Sequence, residues 1–374
     1  MKFFCQTIRK YIIAGCVLFL FPVDTLATTY QVTQVATGLG IPWGMSFQSQ
    51  NEILFTERKG RLGIVNIDSG EVNYLSGLPD IIANGQGGLM DVAKPANYGS
   101  VDWVYFTYVK PSNTYGETTL ARAHINDKTV VDWQDLLVTN SLEPSDKHYG
   151  SRIAFDETHI YFSVGDRGYR SNAQDLSTHA GSILRLNLDG SIPLDNPFVG
   201  NNQALNEIWS YGHRNPQGLV WDNAKQRLWS IEHGPRGGDE INLIEKGKNY
   251  GWPVISYGKE YWLPLAVGEG THKQGMEQPI KVYVPSIAPS SLLLYTGEAF
   301  PHWQGDLFAG ALKLHHINRI ELDESGVALT EQRLLGDLNE RIRALIQSPE
   351  GWIYFSTDNG NIYRIQPLSE ISNN

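Results

Sequence analysis

One three-strand pattern recurs six times along this chain, and that recurrence limits the fold more than any other feature of the sequence. Its second strand reads ILFTER (residues 53–58), VYFTYV (104–109), IYFSVG (160–165), LWSIEHG (228–234), LFAGALK (307–313) and IYFSTDNG (353–360). A candidate first strand precedes each copy, at residues 43–47, 88–93, 151–155, 218–221, 291–295 and 343–347. A third follows each, at 62–67, 119–125, 183–188, 240–244, 317–322 and 361–366. Copies at this spacing, rich in aromatic residues and without amphipathic helices between them, predict an all-β chain folded as a six-bladed β-propeller, with four-stranded antiparallel blades around a channel. The early stretch TYQVTQVA, residues 29–36, is placed to complete the last blade and close the ring. A β-sandwich would not account for one strand order repeated six times.

Propeller geometry says where to look for function. In an antiparallel blade the first strand begins, and the second ends, on the same face of the disc, so residues at these two junctions converge on one funnel. Before first strands stand Gln86, His148, Arg214, Asn215, Arg341 and Arg343; after second strands stand Asp166, Arg167, Gly234, Pro235 and Lys313. Arg214, Lys313, Arg341 and Arg343 bring four cations to one mouth. Gathered without carboxylate partners such charges repel one another, so the set awaits an anion with several negative charges. His148 and Asp166 belong to the same blade, so a carboxylate can fix one imidazole nitrogen and leave the other as a general base. The glycine-dense segment EHGPRGGDEIN, residues 232–242, offers the carbonyls of Gly234 and Pro235 and the carboxylate of Glu240 as hard oxygen donors suited to calcium, although GGDE is also an ordinary turn.

The first residues carry Lys2, Arg9 and Lys10, an apolar stretch from Tyr11 to about Val23, and small residues near Ala27. This describes a cleaved secretory signal peptide, residues 1–27, too short and wrongly flanked for a membrane span, and predicts export to the periplasm. Both cysteines, Cys5 and Cys16, fall inside it, so the mature chain, residues 28–374, has neither disulfides nor thiolate chemistry. The IAGC around Cys16 has the look of a lipidation box, but VLFLF continues the apolar stretch where a lipoprotein should turn polar. The mature chain keeps 27 basic and 39 acidic residues, a balance that argues against nucleic acid or an anionic membrane as partner. No composition shift divides it, so one large domain is expected.

The motifs GQGGLMDVA, HYGSR, VGDRG, YGHRNPQGL, EHGPRGGDEINLI and NYGWPVISYG, in this order between about Val35 and Gln366, resemble the soluble quinoprotein glucose/sorbosone dehydrogenases, and within them the bacterial periplasmic aldose sugar dehydrogenases. The resemblance implies pyrroloquinoline quinone (PQQ) as cofactor and an aldose as substrate, oxidised at the anomeric carbon to a lactone. It implies His148 as the base with Asp166 behind it, and Gln86, Arg214, Asn215, Lys313, Arg341 and Arg343 as the cradle of a cofactor that carries three carboxylates. Gly234 and Pro235 are then carbonyl ligands of a calcium bridging protein and PQQ, while Glu240 and the Tyr250 carbonyl resemble a second, structural calcium site. His315 and His316, next to Lys313, align with no family role. The electron acceptor is left open.

Two other functions compete with this one. A propeller that binds glycan or protein without turnover would not need His148, Asp166 and four cations together. A metal-dependent lactone hydrolase would want carboxylates or asparagines at the channel centre, where this chain places cations.

Overall fold

The second strands VYFT, IYFS and IYFST do not alternate apolar with polar residues, and strands of this kind need cover on both faces. A computed structural model describes residues 30–95, 103–112 and 114–368. In it, six four-stranded antiparallel sheets form the blades of a propeller. The signal-peptide expectation and both cysteines lie outside the described residues. Among those described there is no α-helix, and no helix is long and apolar enough to cross a membrane.

Each blade runs outward in chain order. The inner strands are Pro42–Ser49, Leu89–Ala93, Ile153–Phe155, Pro216–Asp222, Pro289–Leu294 and Ile342–Gln347. Each pairs with the second strand of its blade: Glu52–Glu57, Val104–Lys110, His159–Val164, Arg227–Glu232, Leu307–Ala311 and Ile353–Thr357. The inner strands pack side by side around the axis, with the sixth returning to the first. The expected closure is present: Tyr30–Ala36 pairs antiparallel with Ile362–Pro367 as the outer strand of the sixth blade. The first and last described strands thus share one sheet.

The core lies between blades. Six apolar clusters fill the six blade junctions, for example Tyr105 and Leu120 of the second blade against Ile153 and Phe162 of the third. Large aromatic side chains suit these gaps, and Trp229, Tyr354, Phe55, Phe106 and Phe162 are all fully buried.

The inner strands share an irregularity that matters for the site. In five blades the pairing of first and second strands slips near the start of the inner strand, at Pro42/Gly44, Leu89/Val92, Pro216/Gly218, Pro289/Leu292 and Ile342/Ala344. Such bulges re-aim the side chains they displace. Trp43, Met90, Gln217 and Arg343, which fall within these slips, all line a cavity at the centre of the disc.

Candidate active site

The central cavity, about 170 Å³, takes its walls from several blades: Arg58, Gln86, Asn215, His233, Arg341 and Arg343 line it beside the bulge residues. Arg152 lies beneath. Its guanidinium donates to the Asp91 carboxylate (2.8 Å) and to the carbonyls of Gln217 and Ser290 (2.9 Å each), and it stacks 4.3 Å from the Trp43 ring centroid. One buried cation from the third blade therefore ties the first, second, fourth and fifth together across the axis.

A second cavity, about 360 Å³, opens beside the first and shares Gln86 with it. Here His148 and Asp166 meet, Nδ1 to Oδ1 at 2.6 Å. The backbone turns sharply to bring this about: His148, Gly150 and Ser151 all have positive φ (53°, 64° and 85°), the left-handed region that non-glycine residues seldom occupy. Two neighbours hold the strained turn. Gln86 Oε1 accepts from the His148 N–H at 2.8 Å. Arg167, fully buried, donates to the carbonyls of Ser141, Ser145 and Lys147 and lies 3.7 Å from the Tyr149 ring centroid.

Burial and the nearby Arg214 charge hold the His148 imidazole below its ordinary pKa, and the hydrogen bond to Asp166 only partly opposes them. Burial would raise the Asp166 carboxyl, but the bond from His148 and the charge of Arg214 outweigh it and keep the group below the usual carboxylate range. The pair is thus a neutral imidazole on a carboxylate. With Nδ1 engaged, Nε2 remains for a substrate proton.

The predicted cations divide on inspection. Arg341 and Arg343 line the central cavity, but both pair with Asp358, so the expectation of cations without carboxylate partners is corrected. Asp358 directly follows the second strand of the sixth blade, at the same kind of junction as Asp166, and was passed over in the sequence. Arg58, at the end of the first blade's second strand, was missed for the same reason; burial and the charge of Arg343 hold its guanidinium below the usual range. Arg214 lines the His148 cavity, donates to the His233 carbonyl (3.2 Å) and reaches the Tyr261 hydroxyl (3.4 Å). Asn215 accepts from the Gly150 N–H at 3.2 Å. Lys313 is exposed, and it is Leu312 rather than Lys313 that lines the cavity. His315 meets Asn339 at 2.8 Å, while His316 is buried with Nδ1 on the Leu314 carbonyl.

A small pocket behind Arg214 is lined by Glu232, His233, Gly234, Glu240 and Tyr250. Gly234 can only be glycine, because a Cβ there would stand 2.2 Å from the Gly238 carbonyl oxygen. Asp239 fixes the turn by accepting from the N–H groups of Gly234, Ile287 and Ala288. Pro235 accepts from the Tyr261 hydroxyl at 3.2 Å. Glu232 is well satisfied by His213 Nδ1 (2.9 Å) and the Arg214 N–H (2.7 Å). Glu240, opposite it in register, has only a long contact from Asn242 Nδ2 at 3.5 Å. Burial and the charge of Glu232 push the Glu240 carboxyl up to about 8. Among the described residues no three His, Cys, Asp or Glu side chains cluster to hold a metal; the candidate set is carbonyls with one carboxylate.

Residues 39–364 match the Glucose / Sorbosone dehydrogenase family. The chain belongs to that family. Among the relatives of this glucose/sorbosone dehydrogenase family member is the aldose sugar dehydrogenase YliI of Escherichia coli, 36% identical over 91% of this chain and 93% of the relative. The crystal structure of the soluble aldose sugar dehydrogenase of Escherichia coli in the apo form superimposes with a TM-score of 0.86 at 34% identity, covering 91% of this chain and all of that one. The PQQ-bound form of an aldose sugar dehydrogenase from Streptomyces coelicolor gives a TM-score of 0.76 at 25% identity, over 90% and 98% of the two chains.

Family membership sharpens one further observation. The junctions of the first and second strands account for most of the site, but residues 245–280, between the third and fourth strands of the fourth blade, fold back over the mouth. This excursion contributes Tyr261 and Trp252 to the His148 cavity, and Trp252 Nε1 donates to Asp166 Oδ2 at 2.8 Å.

Proposed function

We propose that this protein oxidises aldose sugars at the anomeric carbon to lactones, with PQQ and calcium, after export and cleavage of residues 1–27 leave residues 28–374 as a single periplasmic propeller. The observation that carries the reading is the His148–Asp166 pair at 2.6 Å, opening onto a cleft that joins a cation-lined cavity. A pure binding module has no use for a strained, neutral imidazole held on a carboxylate.

The residues fit the cofactor. Arg58, Arg341 and Arg343 around the central cavity carry more positive charge than Asp358 neutralises, which suits a polycarboxylate. Gln86, Arg214 and Asn215 stand at the boundary with the sugar cleft, and Lys313 would have to swing inward to join them. PQQ, when bound, supplies the acceptor for the hydride that leaves the sugar carbon. The protein's own part is to take the anomeric hydroxyl proton at His148 Nε2, to keep that imidazole neutral until then, and to stabilise the resulting cation through Asp166.

Calcium fits too. Glu240, left without a strong donor and facing Glu232, is held protonated near neutral pH; a cation can take the place of that proton, and Gly234, Pro235 and Tyr250 can add carbonyls. A calcium ion, when bound, supplies a Lewis acid beside the cofactor. The electrons finally pass from PQQ to an external acceptor.

The test is reconstitution of purified protein with PQQ and calcium, following reduction of an artificial dye by a panel of aldoses. Lactone formation with at least one aldose is expected. No turnover with any aldose, together with no spectral change of added PQQ, sinks the reading.

A further inference from the structure

We propose that Trp252 is a positioning residue for the base: its indole N–H holds the Asp166 carboxylate in the one orientation that keeps Oδ1 on His148. The proposal rests on the reading of His148 as base, and it goes beyond that reading by assigning a residue from outside the blades.

Both oxygens of Asp166 are committed. Oδ1 accepts from His148 Nδ1 (2.6 Å) and from the Gly168 N–H (2.7 Å), and Oδ2 accepts from Trp252 Nε1 (2.8 Å). The carboxylate is 1% exposed, so water cannot replace a lost donor without entering the core. With the indole in place, rotating the carboxylate breaks charge-assisted bonds at both ends. Without it, Oδ2 has lost its donor, the carboxylate can twist, and the imidazole is no longer confined to the Nδ1–H tautomer.

Trp252 is itself clamped by the turn it serves. Its N–H donates to the Gly212 carbonyl (2.9 Å), and its carbonyl accepts from Gln174 Nε2 (2.7 Å). Gln174 closes the short 3₁₀ segment Arg170–Gln174 that follows Asp166. The guanidinium carbons of Arg170 and Arg214 lie 5.3 and 5.4 Å from the indole centroid, within cation–π range. Arg170 is fixed in turn by a two-pronged pair with Glu260, at 2.6 and 2.7 Å, from the same excursion as Trp252. The titratable and charged groups around His148 are Asp166, Arg214, Lys147, Arg170, Tyr261 and His233, and a neutral substitution at Trp252 removes none of them.

The experiment is a double-mutant cycle of Trp252→Phe and Asp166→Asn in the reconstituted holoenzyme, with the tautomer of His148 read separately from ¹⁵N-histidine spectra of the cofactor-free full chain. Trp252→Phe is expected to lower kcat about 10-fold with the sugar KM little changed, as is usual for partners one step behind a functional group. It is also expected to move the acid limb of kcat/KM downward in pH, because the His148–Asp166 hydrogen bond that raises the imidazole is loosened. In the Asp166→Asn background the same substitution should change kcat less than about 2-fold, because the indole acts through that carboxylate. Additive losses, or an unmoved acid limb, overturn the proposal. The spectra need no turnover: the wild type should show the Nδ1–H tautomer at His148 and Trp252→Phe a mixture, and an unchanged tautomer overturns the proposal whatever kcat does. A tautomer change in a protein that oxidises no sugar would instead sink the function and leave the positioning role standing. If Trp252→Phe does not fold, Trp252→His, which keeps a ring N–H, should preserve the tautomer, and its loss there counts against the proposal.

Discussion

Asp358 accepts from Arg341 Nε at 2.8 Å and from Arg343 Nε at 2.7 Å, so a single carboxylate restrains two of the cations at the central cavity. Arg341 is half-exposed and contributes little through this contact, whereas Arg343 and Asp358 are almost entirely shielded from water. The carboxylate therefore serves the empty fold, and an incoming anion would serve the loaded one. Asp358→Ala is expected to cost the cofactor-free protein about 3 kcal/mol, the usual consequence of leaving a buried charge without its partner. Added PQQ should then raise the melting temperature of the variant more than that of the wild type. Thermal unfolding with and without PQQ measures both, and equal gains would mean that Asp358 is not the counter-charge for a shared anion site.

Removal of the base separates binding from chemistry. His148→Ala is expected to bind PQQ with little change and to turn over sugar at least about 10²-fold more slowly, the lower end of what a placed proton acceptor contributes. Single-turnover reduction of bound PQQ distinguishes this from a defect in product release. Unchanged turnover would refute the assignment of His148.

Much of this site was legible before any coordinates because propeller topology converts sequence position into spatial position. Once six second strands were aligned, His148 and Asp166 had to share a rim, and Gln86, Arg214, Arg341 and Arg343 had to share a funnel. What stayed hidden is of three kinds. Asp358 and Arg58 occupy junctions of the same sort, and they were passed over because a carboxylate in TDNG and an arginine in TERKG look like turn residues. Trp252 could not have been found by junction logic, since it arrives from a long excursion whose path over the disc is set by tertiary contacts to Gly212, Gln174 and Asp166. The bulges are hidden for a third reason. A one-residue slip that turns Trp43, Gln217 and Arg343 into the cavity leaves no mark in the apolar pattern of strands covered on both faces.

The pH dependence follows from the direction of the His148 shift. Burial and Arg214 hold its pKa below the ordinary value of about 6.5, so the imidazole is neutral and able to accept a proton throughout the neutral range. As pH falls through the folded pKa the base is protonated and kcat/KM falls; above it kcat/KM is flat until another group titrates. The acid limb should therefore have its midpoint below about 6.5. A midpoint above that value would show that Asp166, which favours the charged imidazole, outweighs burial and Arg214.

Calcium should act on stability as well as on rate, and Glu240 is the residue that separates the two. In the metal-free protein its carboxyl lies across from Glu232 with one 3.5 Å contact and is pushed up to about 8, so it keeps its proton at neutral pH and a bound cation takes that proton's place. Chelation is expected to lower the melting temperature and calcium to restore it, with a gain of about 2.7 kcal/mol when calcium stands at 100 times its dissociation constant. Glu240→Gln keeps the shape of the protonated acid but cannot ionise to hold a cation. The metal-free variant should be at least as stable as the metal-free wild type, and calcium should raise its melting temperature much less. If the variant is less stable without metal and responds to calcium as fully as the wild type, Glu240 is a structural carboxylate and the cation binds elsewhere.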